Sequence, residues 1–123
     1  MNNKENFYVV RRESGTQRSD LPVWAPKSAN PFALDKNVNA VSRAEVNNVP
    51  GAFQLLDVLL PEEVQRILDG ANQLGFTEDA AVSLPREVRH NQNLNLIADT
   101  ETLDIIWKRC QDHFVDKLSL IHI

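Results

Sequence analysis

The stretch Phe53-Gln54-Leu55-Leu56-Asp57-Val58-Leu59-Leu60-Pro61-Glu62-Glu63-Val64 decides how this chain is read. From Ala52 to Leu60 it is short and rich in apolar residues, which fits a buried strand better than a helix. Pro61 then stands where helices like to begin, because the first helical residue has no intrahelical use for its N–H. Glu62 and Glu63 fall in the first turn, facing the positive end of the helix dipole. Val64, Ile67, Leu68 and Ala71 recur at helical spacing as one apolar stripe. Gly75 closes the helix as a residue that tolerates left-handed backbone. Leu60 is a poor N-cap, since Ser or Asp would accept a backbone N–H there.

Downstream, Phe76 to Leu84 is ambiguous, with short extended pieces around Ala80-Ala81-Val82, and Pro85 separates it from the next element. Glu87 to Ile97 alternates, which predicts a strand. Val88, His90, Gln92, Leu94 and Leu96 would face a core, with Arg89, Asn91, Asn93 and Asn95 on the other side. Asp99 or Thr100 caps a second helix. Leu103, Ile106, Trp107, Cys110 and Phe114 lie along one side of that helix. Burial of Trp107 and Phe114 would contribute about 2–3 kcal/mol each. Upstream, residues 1–48 carry Pro22, Pro26 and Pro31 with many Asn and Ser, and are expected to form an irregular arm over the core. Within the arm, Phe7-Tyr8-Val9-Val10 could pair as a strand, and Trp24 and Phe32 could act as anchors. A peptide-like docking segment is the other reading of the arm.

The chain of 123 residues allows one domain or part of one, and its 42% hydrophobic content suffices for a packed core. A net charge of −4 argues against an electrostatic nucleic-acid binder, which needs a basic face. A single cysteine, Cys110, cannot close an internal disulfide, and a reducing cytoplasm is the expected compartment. The N-terminus lacks the apolar stretch of a signal peptide, and no apolar run approaches the roughly 20 residues of a membrane span.

Motifs for chemistry are sparse. Gly15, Gly51, Gly70 and Gly75 are too dispersed for a phosphate loop, and there is no nucleophile elbow. Cys110, on an apolar helix stripe, reads as a packing residue rather than a nucleophile. His90 reads as a hydrogen-bonded core histidine, and His113 as a residue on the solvated side of its helix. No His-x-Asp or His-x-Glu pair occurs, so no two-His-one-carboxylate iron site is assembled from a motif. The remaining constellation is the polar strand face. Arg89, Asn91 and Asn93 align a guanidinium with amides able to bind carboxylates, sugars or peptide backbone, and these three are the candidate substrate-binding residues. A plain solvated face is the alternative, although Asn is a poor strand former.

The order of elements resembles the opening of iron- and 2-oxoglutarate-dependent dioxygenases of the prolyl 4-hydroxylase type. Phe53 to Val64 is similar to that family's strand of aromatic-x-apolar-x-Asp/Asn-x-Leu form leading into a Pro-Glu-Glu helix start. Val88-Arg89-His90-Asn91-Gln92-Asn93, then Asp99, then Ile106-Trp107-Lys108-Arg109, looks like its Arg-x-Asn strand and Leu-Trp-x-Arg helix. The resemblance runs from about Pro50 to Phe114. It implies an α+β fold: a strand-helix-strand-helix support segment of a double-stranded β-helix (jelly-roll) oxygenase, cut before the catalytic barrel. It implies a parent enzyme that incorporates oxygen from dioxygen into a small-molecule or peptide substrate. Fe(II) and 2-oxoglutarate are the implied cofactors, with ascorbate as an optional further one. No position here matches the family's iron or 2-oxoglutarate ligands, so no catalytic, cofactor or metal residue is assigned. A small self-contained binding module using the Arg89/Asn91/Asn93 face is the alternative.

The chain ends Leu118-Ser119-Leu120-Ile121-His122-Ile123. This is the translation of CTG-TCT-CTT-ATA-CAC-ATC, which resembles the transposon-end adapter of sequencing libraries. A natural apolar C-terminus is the alternative. Three segments are therefore expected: an arm over 1–48, the N-terminal part of a dioxygenase domain over 49–117, and an adapter-derived tail over 118–123.

Overall fold

The structure, a computed structural model, describes residues 3–15, 18–78 and 92–114. It is mixed α+β, as expected from the sequence. A 3-10 turn (Asn3–Asn6) leads into β1 (Phe7–Glu13), followed by β2 (Leu21–Pro26), β3 (Ser42–Glu45) and β4 (Phe53–Leu56). Helix α1 (Pro61–Leu74), a two-residue β5 (Asn95–Leu96), helix α2 (Thr100–Cys110) and a second 3-10 turn (Gln111–His113) complete it. One sheet has the order β1-β2-β5, antiparallel between β1 and β2 and parallel between β2 and β5. A separate antiparallel ribbon joins β3 to β4 with Ser42 opposite Leu56 and Glu45 opposite Phe53.

The first 48 residues correct the expected irregular arm, since they hold three strands and much of the core. Leu21, Val23 and Ala25 are buried on one side of β2, alternating with half-buried Pro22, Trp24 and Pro26. Phe7, Leu34 and Val41 are buried with them. The prolines obscured this strand, because proline supplies no ladder N–H. They are tolerated because β5 reaches only Val23 and Trp24, leaving Pro22 and Pro26 outside the doubly paired stretch. Trp24 and Phe32 are both half-buried, and the Phe32 ring packs on Phe7 at 5.6 Å between centroids. In β1 the register slips between Val9 and Arg11, a bulge that interrupts the outer edge of the sheet.

The strand expected over Ala52–Leu60 is shorter and less buried than its apolar content suggests. It ends at Leu56, which is exposed. Asp57 then adopts φ 60, a left-handed conformation that Asp accepts more readily than a branched residue and that stops the ladder. Helix α1 runs from Pro61 to Leu74, with Gly75 at φ 96 just beyond, as its start and stop signals predict. Its buried side only partly coincides with the apolar stripe, of which Ile67 and Ala71 are half-buried. Glu63, Gly70 and Leu74 are buried, whereas Val64 and Leu68 are exposed.

Helix α2 likewise buries only part of its stripe, with Cys110 buried and Ile106 half-buried. Ile105, Arg109 and Cys110 are buried, while Leu103 is 54% and Trp107 55% exposed. The 2–3 kcal/mol expected from burying Trp107 is therefore not realised within the described residues. Asp99, one of the two expected caps, is the N-cap. Within Glu87–Ile97 only Asn95 and Leu96 form a strand among the described residues, and Asn93 makes an isolated bridge to Thr77. The expected pieces around Ala80–Val82, and His90, lie outside the described residues.

Candidate functional site

The most elaborate polar arrangement is a buried ion pair between α1 and α2. Glu63 is the third residue of α1, and Arg109 the tenth of α2. Glu63 Oε1 accepts from the Leu60 amide at 2.8 Å and from Arg109 Nη1 at 2.7 Å. Glu63 Oε2 accepts from the Asp35 amide at 2.7 Å and from Arg109 Nη2 at 2.6 Å. Arg109 Nη1 also donates to the Val58 carbonyl at 2.8 Å, and Nη2 to the Asp35 carbonyl at 2.6 Å. Both side chains are almost wholly shielded from solvent.

The fork geometry explains why arginine occupies this place. A guanidinium offers two parallel N–H vectors to a carboxylate and keeps two more for carbonyls. Burying either charge alone would be strongly unfavourable, so each must satisfy the other. The pair also replaces the cap that Leu60 lacks: Glu63 turns back onto the Leu60 amide, the carboxylate half of a capping box. The Asp35 loop, the β4–α1 turn and α2 are thus fastened at one point. Within the pair, only Arg109 Nε is buried without a partner.

The Arg109 hydrogen bonds outweigh burial and hold the Glu63 carboxyl down at about 2, while the Arg109 guanidinium is pushed further up by the same partner. Glu63 therefore stays ionised at neutral pH with both oxygens occupied, and it has no proton to exchange. Its hydrogen bonds hold the Leu60 and Asp35 amides and Arg109 of α2 together. Because its folded value lies below the unfolded 4.5, its stabilisation is complete above that value and disappears as pH falls through about 2. By linkage this is worth about 3 kcal/mol. Acid titration of unfolding should show this loss, and the Glu63→Gln variant should lack that component of the pH dependence.

Two further contacts fix the turn that precedes the Asp35 loop. Asp99 Oδ2 accepts from the Asn30 amide at 2.8 Å and the Thr102 amide at 3.1 Å, and its Oδ1 accepts from the Thr102 hydroxyl at 2.6 Å. Burial works against its ionisation, but these donors prevail and lower its carboxyl. Arg66 donates to the Phe32 and Ala33 carbonyls at 2.7 and 2.9 Å. Together they hold Asn30 at φ 51 and Ala33 at φ 53, conformations that need such support in residues with a Cβ. Replacing Asp99 by alanine removes the α2 cap and the Asn30 tether together. The expected destabilisation is about 2 kcal/mol, at the upper end for a lost cap, measured by urea unfolding.

An aromatic cluster joins β4, α2 and the turn after α2. Trp107 stacks on Phe114 at 5.4 Å, and Phe114 meets the edge of Phe53 at 5.9 Å. The Arg43 guanidinium lies 3.8 Å from the Phe53 ring centroid, and its Nη1 donates to the His113 carbonyl at 2.6 Å. Trp107 and Phe114 are exposed, and Phe53 is half-buried. His113 falls in the 3-10 turn after α2 and is half-buried rather than on a solvated helix side.

Of the candidate substrate-binding residues, Arg89 and Asn91 lie outside the described residues. Asn93 exchanges backbone hydrogen bonds with Thr77 at 2.8 and 2.6 Å and is half-buried. Sequence reasoning passed over the Glu63–Arg109 pair. The available signal was a glutamate at the third helical position, where a capping residue turns back on the chain. Among the described residues no three His, Cys, Asp or Glu side chains gather as a metal site, and no helix is long and apolar enough to cross a membrane. No family model, curated protein or solved structure matches the chain.

Proposed function

We propose that residues 49–117 are the non-catalytic N-terminal support segment of an iron- and 2-oxoglutarate-dependent hydroxylase of the prolyl 4-hydroxylase type. One observation carries this reading. The first block of the resemblance, Phe53–Val64, and the helical end of the second, Ile106–Arg109, lie far apart in the sequence yet meet through Glu63 and Arg109, 46 residues apart. Two independent similarities that join through a buried, fully directional contact support one another. The exposed apolar residues Val64, Leu68, Leu103, Trp107 and Phe114 fit the role as well, since a support layer presents apolar side chains to the sheet it braces.

The described residues of this chain do not fit an iron site. Their single histidine, His113, has no partner donors gathered around it. In the parent enzyme, iron and 2-oxoglutarate would activate dioxygen on residues outside this segment. The contribution of Glu63 and Arg109 is to fix where α1 and α2 stand against the barrel. The experiment is turnover by the parent protein with Fe(II) and 2-oxoglutarate. Succinate release is the expected result. An iron-loaded, folded protein that releases no succinate with any amino-acid, peptide or small-molecule substrate offered would count against the proposal.

The second reading, a self-contained binding module, has one observation on its side: a buried core already formed around Phe7, Leu21, Val23 and Ala25. The readings differ in what residues 1–117 do alone. As a support segment, the isolated chain should self-associate and bind a hydrophobic dye through its open face. Changing Leu103 and Trp107 to glutamate should abolish both while moving the melting temperature little. A monomeric, dye-free wild-type chain with a cooperative melt would favour the module.

A further inference from the structure

We draw no further inference here: the strongest candidate, the groove of about 710 Å3 between the Asn30–Leu34 turn and α1, carries nothing, because Arg66 on its wall already serves the Phe32 and Ala33 carbonyls and nothing in the structure shows what would occupy it.

Discussion

Replacing Arg109 by methionine is expected to destabilise the protein by about 3–5 kcal/mol, the range for removing one partner of a buried ion pair. The substitution leaves the Glu63 carboxylate buried with only the Leu60 and Asp35 amides as donors, and it strips the Val58 and Asp35 carbonyls of theirs. A loss of this size is comparable with the whole stability of a small domain. Denaturant unfolding should therefore show a variant that is largely unfolded or melts far below the wild type. Glu63→Leu combined with Arg109→Met removes both charges. It should recover part of the loss, not all, because the Leu60 and Asp35 amides and the two carbonyls lose their side-chain partners. If R109M were as stable as the wild type, the pair would not fasten α1 to α2.

The second large effect concerns the N-terminal residues. Leu21 is 1% exposed in β2, so Leu21→Ala should cost about 2–5 kcal/mol, the range for emptying a packed leucine site. Deleting residues 1–48 should be worse. It removes Phe7, Leu21, Val23, Ala25, Leu34 and Val41 from the core, along with the Asp35 amide that holds Glu63. The truncated chain is expected to give no cooperative unfolding transition by circular dichroism. A detachable arm would behave differently, with L21A close to neutral and the truncated chain folded.

Local signals in the sequence were sufficient for α1 and α2, because Pro61, Gly75 and Asp99 act within one helical turn of themselves. The β1–β2 hairpin was mostly hidden. Only Phe7–Val10 stood out, since Pro22 and Pro26 argue against a strand unless the short reach of β5 is known. Helical periodicity located the apolar stripes of both helices, but only part of each stripe is buried. A period shows that a stripe exists, not that anything covers it. The Glu63–Arg109 pair was out of reach for a further reason. Each residue has an ordinary local role, glutamate at a helix start and arginine near a helix end, and only the fold brings them together. Of the candidate face, Asn93 is placed in a bridge to Thr77, while Arg89 and Asn91 lie outside the described residues.

If this segment braces an oxygenase barrel, that barrel carries the iron and 2-oxoglutarate ligands. The most direct measurement is the genomic sequence of the gene, read on from the codon for Lys117. The expected result is an open frame that encodes a His-x-Asp pair, a distant second His and a later Arg or Lys for the far carboxylate of 2-oxoglutarate. A frame that closes after the codon for Lys117 without encoding these residues would contradict the proposed role.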